Sequence, residues 1–289
     1  MRHPVVPCEI LPETKARIDQ FAESLREAAP RIGEHGLSNA EFWESGLFGA
    51  AVERLRGQQA ASTAIKYGFV RSILSQLKIA GEIAEFDYTG TGERHDFEVI
   101  YPDGFKVAIE TKGCLDGNNT NIFLRPASAD EFVIWSLCQN PGADPRHNVW
   151  SGIHTRLGAE VIHRKERVDT LVVWDMICGT VGRPCPKLVA EPNRAVVLSD
   201  GKTVPPPCLY LFPRTVPDAR NNPHPRCWSM NELRFASSLS RVFGTNATEA
   251  VSVSIEVRMS GPDVERMTTF SVNGSIIAQS GWTKLSRAR

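Results

Sequence analysis

The stretch RHDFEVIYPDGFKVAIETKG, from Arg94 to Gly113, constrains the fold more than any other part of the chain. Apolar and polar residues alternate on both sides of Pro102-Asp103-Gly104, the pattern of two strands joined by a tight turn. Strands are predicted over 95–101 and 105–111. Asp96 opens the first run, and Glu110 and Lys112 close the second. A hairpin brings its open ends together, so Asp96 is expected level with Glu110. Lys112 lies two residues beyond Glu110 and points to the same side. Two acids and one amine are thereby predicted within a few ångströms at one sheet edge.

The apolar period before this stretch is helical. Helices are predicted over 12–30, 39–56 and 62–79. In the second, Ser38 or Asn39 caps the start, Glu41 falls in the first turn, and Trp43, Leu47, Ala51 and Leu55 form a stripe widened by Phe48 and Val52. Glu44 projects inside that stripe, between Leu47 and Phe48, and Glu53 on the solvated side. The third helix is expected to bury Ile65, Phe69, Val70, Ile73, Leu74 and Leu77. A short strand over 82–88 and the TGTGE turn then lead into the hairpin.

Residues 114–148 have no clear period and are rich in Asn, Pro and Asp, with a helical turn expected within 128–138. A helix over 149–166 follows, with Val149, Ile153, Leu157 and Val161 on one side. It leads into the apolar run 168–176, the signature of a strand covered on both faces. Further strands are predicted at 194–200, 205–214, 250–258 and 266–280, and a helix at 231–243. The order predicts an α/β class, a mixed sheet flanked by helices with additional C-terminal strands. It is read as one domain over 1–289, with a core at about 40–176 and a C-terminal elaboration at about 177–289.

Composition excludes little else. Lys plus Arg (33) equal Asp plus Glu (33), so no overall basic surface announces a nucleic-acid partner. No run approaches the roughly 20 apolar residues of a membrane span, and MRHPVVPCEILPETK lacks the apolar segment of a signal peptide. Seven cysteines, an odd number at irregular spacing, suit reduced thiols. A cytoplasmic protein with no membrane partner is expected.

The hairpin's charges carry the chemistry. Adjacent carboxylates raise each other's pKa unless a cation lies between them. A hard ion such as Mg²⁺ suits oxygen ligands and keeps waters in its other positions. Such an ion acidifies a bound water and stabilises charge on a phosphoryl oxygen, and Lys112 can orient that water or help deprotonate it. Phosphodiester hydrolysis is the indicated reaction.

Asp96, Glu110, Thr111 and Lys112, set behind helices and ahead of a helix and strand, resemble the PD-(D/E)XK nuclease superfamily. The leading Pro of that motif is replaced by His95. The resemblance covers roughly residues 40–176 and implies a restriction-endonuclease-like core ordered helix, three antiparallel strands, helix, strand. It implies that Asp96, Glu110 and the backbone carbonyl of Thr111 hold Mg²⁺, that Lys112 assists the water, and that Glu44 is an added catalytic acid. The stand-alone chain looks most like a type II restriction endonuclease, cutting double-stranded DNA to leave 5′-phosphate and 3′-hydroxyl ends. Such an enzyme implies a homodimer and a cognate methyltransferase in the same system with no stable complex. A repair or mobile-element nuclease and a non-cleaving DNA-binding protein are the alternatives.

Other segments admit two readings each. Asn118, Asn119 and Asn121 follow the hairpin and suit adenine edges or phosphates, or ordinary turn chemistry. Arg146, His147 and Asn148 stand at a helix start, suited to a phosphate or to solvated charges beside an N-cap. Cys178, Cys185, Cys208 and Cys227, with His224, lack any C-x-x-C pair, which favours buried thiols over zinc.

Overall fold

The computed structural model describes residues 10–31, 36–46, 63–89, 95–113, 125–138, 144–180 and 183–285. Helices α1 (Pro12–Ala28), α2 (Asn39–Glu44) and α3 (Thr63–Ile79) come first. A reciprocal cap starts α2: Ser38 Oγ accepts from the Glu41 amide, and the Glu41 carboxylate accepts from the Ser38 amide. In α3, Phe69, Val70, Ile73, Leu74 and Leu77 are buried at the spacing of one helix face. Ile65, predicted in that stripe, is 51% exposed, because burial begins one turn later at Phe69.

The meander β1 (Glu85–Tyr88), β2 (Phe97–Ile100) and β3 (Lys106–Lys112) is antiparallel throughout. Next comes β4 (Glu131–Cys138), parallel to β3. This corrects the helical turn expected within 128–138: EFVIWSLC is a strand sandwiched between two layers. Its Val133, Trp135 and Leu137 enter one core while Phe132 and Ile134 enter the other. Helix α4 (Pro145–Gly152), a π turn (Ile153–Leu157) and α5 (Gly158–Arg164) lead to β5 (Thr170–Asp175), parallel to β4. The helix thus starts at Pro145 rather than 149, since Asp144 caps it and Pro145 occupies a first-turn position that needs no donor.

After β5 come α6 (Pro186–Ala190), β6 (Val196–Val197), β7 (Thr203–Val204), β8 (Cys208–Leu211) and α7 (Arg234–Phe243). Strands β9 (Val251–Ser260), β10 (Asp263–Val272), β11 (Ser275–Gln279) and β12 (Thr283–Lys284) complete the described chain. The strand predicted over 194–200 is only β6, paired with β7 in a separate two-stranded ribbon. The run 266–280 is divided at Asn273-Gly274, both with positive φ, so that β10 and β11 form a hairpin.

The ten-stranded sheet runs β1-β2-β3-β4-β5-β8-β9-β10-β11, with β12 on β10. This matches the predicted class of a mixed sheet flanked by helices. On one face α3 and α7 cover Phe97, Val107, Ile109, Trp135, Trp174 and Leu209. On the other, α4 and α5 cover Phe132, Leu171, Tyr210, Val253 and Phe270. At the strand starts, Asp169 is 1% exposed and pairs with Arg125 at 2.7 Å and Arg167 at 2.9 Å. It also accepts from the Phe132 amide and the Trp228 indole N–H. A buried carboxylate is tolerated because every side of it meets a donor or a cation.

Candidate active site

Strands β2 and β3 pair with Phe97 opposite Ile109. Ahead of Phe97 the register does not continue: the Asp96 amide also faces Ile109, donating to its carbonyl at 2.9 Å, so Asp96 sits at a bulge beside the end of β3. Asp96 Oδ2 accepts from the Thr111 amide at 2.7 Å and the Thr111 hydroxyl at 2.5 Å. Asp96 Oδ1 accepts from the Tyr67 hydroxyl on α3 at 2.9 Å. Burial, with hydrogen bonds donated to Tyr88 and Asp96, pushes the Tyr67 phenol well above its ordinary range. Tyr67 therefore stays protonated and donates. Its ring lies 4.6 Å from that of Tyr88 and 5.8 Å from that of Phe97, which fixes the hydroxyl in place.

Glu110 and Lys112 share the side of β3 occupied by Ala108, as the period of two requires. Lys112 Nζ lies 2.5 Å from Glu110 Oε1, and both side chains are about four-fifths covered (20% and 17% exposed). Burial raises the Glu110 carboxyl above the usual carboxylate range. Lys112 opposes this by hydrogen bond and charge, and the negative charge of Asp96 adds to it. The two acids thus sense each other while leaning on different partners: Asp96 on Thr111 and Tyr67, Glu110 on Lys112. Thr111 was expected to contribute its carbonyl; here its amide and hydroxyl both serve Asp96.

The remaining candidates are dispersed. Glu44 is exposed at the end of α2, and the rest of the helix predicted to 56 lies outside the described residues beyond Gly46. The stripe that was to enclose Glu44 is corrected: α2 buries Phe42 (8% exposed) while Trp43 is 40% exposed. The inward face is therefore turned by one residue, about 100°. Asn118, Asn119 and Asn121 lie outside the described residues. Arg146, His147 and Asn148 occupy the first turn of α4, where the Asp144 carboxylate accepts from the His147 amide at 3.1 Å. Arg146 and His147 line a cavity of about 310 Å³ with Lys15, Trp150 and Phe270 of β10. Strand β10 stands five strands from β3, so this cavity and the hairpin charges do not meet.

Tyr67 is the site residue that the sequence reading overlooked. Its spacing from Val70 and Leu74 puts it on the buried face of α3, where a phenol needs an acceptor. Asp169, an acid inside the run VDTLVVWDM, carried a similar signal, because a buried carboxylate demands a cation.

Among the described residues no three His, Cys, Asp or Glu side chains gather to hold a metal, and Cys178, Cys185, Cys208 and Cys227 are thiols not joined in a disulfide. No helix of the described residues is long and apolar enough to cross a membrane. Comparison with protein-family models, curated proteins and solved structures returns no match.

Proposed function

We propose that the chain is a Mg²⁺-dependent, sequence-specific endodeoxyribonuclease acting on double-stranded DNA. The observation that supports this reading is the charge cluster at the open end of the β2–β3 hairpin, where Lys112 lies 2.5 Å from the Glu110 carboxylate and the charge of Asp96 acts on it. These residues fit a hard divalent cation. Both acids offer oxygen donors, and Glu110 is burdened by burial and by the charge of Asp96, both of which a cation relieves. Two protein carboxylates leave the other positions to water and phosphate oxygens. When bound, the ion would supply an acidified water and neutralise charge at the phosphoryl group.

The chain's own residues position the rest. Tyr67 and Thr111 hold Asp96 from two directions. Lys112 keeps an amine beside Glu110, where it can orient a water or exchange a proton with it. Water adds across the P–O3′ bond, leaving a 5′-phosphate and a 3′-hydroxyl. A homodimer would match a palindromic target, with host DNA protected by a separate methyltransferase.

The test is incubation of the purified chain with plasmid DNA and Mg²⁺ beside Asp96→Ala and Glu110→Ala. Discrete fragments are expected from the wild type, and from neither variant. Nicks or a smear would indicate a repair or mobile-element nuclease, and retarded but uncut plasmid a non-cleaving DNA-binding protein. Cutting by either variant at the wild-type rate would remove these residues from the site.

A further inference from the structure

Two thiols that the proposed reaction does not use face each other in the segment after β5. Thr180 and Arg183 form an antiparallel bridge, and the Gly179 amide donates to the Arg183 carbonyl at 2.8 Å. The bridge brings the two flanking segments together, and the Cys178 side chain hydrogen-bonds the Cys185 sulfur, so the two sulfurs are in contact. Gly179, beside the bridge, has φ +89°, a backbone conformation L side chains rarely adopt.

The surroundings favour a thiolate at this pair. Cys178 hydrogen-bonds the Cys185 sulfur and holds that thiol below the ordinary cysteine range, aided by the charge of Lys187. Lys187 is itself buried, donating to the Pro206 and Pro207 carbonyls at 3.2 and 2.9 Å. Cys178 is half-exposed while Cys185 is 5% exposed, so one sulfur meets solvent and its partner waits behind it. Cys227 shows the contrast: burial alone pushes its thiol up to about 11.

We propose that Cys178 and Cys185 are a redox pair that closes to an intramolecular disulfide when the protein meets a hydroperoxide. Transfer of the Cys178 proton to the Cys185 thiolate along their hydrogen bond leaves the charge on Cys178 and the proton on Cys185. The Cys178 thiolate attacks one peroxide oxygen, the O–O bond breaks, and the departing hydroxide takes the Cys185 proton to form water. The Cys185 thiolate then attacks the Cys178 sulfenyl sulfur, the S–O bond breaks, and the second hydroxide is protonated by solvent. Two thiols and one peroxide become one disulfide and two waters, and a dithiol reductant reverses the change. Because β3, β4 and β5 run parallel, this pair follows the same end of the sheet as Lys112, two strands away.

The full chain, treated with hydrogen peroxide, quenched in acid, denatured and alkylated with iodoacetamide, tests this by mass spectrometry. Trypsin leaves both cysteines in the peptide Val168–Lys187, since Arg183 precedes a proline. The expected peptide lacks both alkyl groups and is lighter than the dithiol by two hydrogen atoms. Both thiols should disappear with one rate constant, and dithiothreitol before alkylation should restore both. In Cys178→Ser no internal link can form, and Cys185 should stay alkylatable at peroxide doses that close the wild-type pair. Full alkylation of the oxidised wild type, separate rates for the two thiols, or a link from either one to another cysteine would overturn the proposal.

Discussion

Glu110 stands at the end of β3 where burial weakens the screening of its charge, and Asp96 lies one strand away. Lys112 is the cation that opposes both effects. Its removal has two consequences of different kind. Without the ammonium, the water lacks a partner for its proton, and cleavage should fall by about 10²–10⁴-fold. The Glu110 carboxyl, already raised, should rise further. Since the proposed chemistry needs Glu110 ionised, the acid limb of the residual activity of Lys112→Ala should move to higher pH. Single-turnover cleavage in Mg²⁺ across pH, beside a gel-shift titration in Ca²⁺, separates these terms. Affinity should change little, as several phosphate contacts share the load. Affinity collapsing in step with rate would make Lys112 a DNA anchor.

Strand β4 connects two functions of the fold at the scale of elements. Its first residue, Glu131, is buried and accepts from the Arg234 amide at 2.5 Å and the Phe235 amide at 3.1 Å, capping α7 from a strand about 100 residues earlier. Burial outweighs those bonds and pushes its carboxyl up to about 7. An acid raised in the folded state binds more protons there than in the unfolded chain. Its contribution is therefore fullest below the ordinary carboxylate range and is lost as pH climbs toward 7. Wild-type stability relative to Glu131→Gln should drop by on the order of 2 kcal/mol between pH 5 and pH 8, read from urea denaturation. Parallel curves would mean that Glu131 does not titrate in that window. The same strand shows where sequence reading stopped. The hairpin was legible because its alternation survives wherever one face differs from the other, and α3 because its apolar residues keep a period near 3.6. Strand β4 has both faces in apolar cores, so Phe132, Val133, Ile134 and Trp135 are all buried and no period remains. The run 168–176 carried the same signature and was read correctly, since a helix ahead of it set its boundary. In the site, the hairpin pattern brought Asp96 to the end of β3 that holds Glu110, Thr111 and Lys112. The partnership of Asp96 with Tyr67 crosses 29 residues and depends on how α3 packs, which no local pattern encodes.

The whole sheet decides whether the C-terminal strands are an elaboration or part of the core. Strand β9 lies between β8 and β10, parallel to the first and antiparallel to the second. Val251, Val253, Ile255 and Val257 on β9, with Phe270 and Val272 on β10, are all buried. Several of them meet the face that α4 and α5 cover, and the Trp150 ring of α4 lies 4.9 Å from that of Phe270. A chain ending at Ala250 would lose all six side chains and uncover Tyr210 and Phe212 beneath them. At roughly 1.5–3 kcal/mol for each buried aliphatic or aromatic side chain, the six amount to about 9–18 kcal/mol. A whole domain's net stability is about 5–15 kcal/mol, so the deletion removes a comparable amount. The hairpin end holding Asp96, Glu110 and Lys112 would remain in the chain, on the far side of β4 and β5 from the exposed edge. Truncation after Ala250 should therefore abolish cooperative thermal unfolding and raise binding of an apolar dye, and the proposed DNA cleavage should vanish with the fold. A truncated chain that still melts in one sharp transition would show instead that α3, β1–β5 and α4–α5 are a self-sufficient unit.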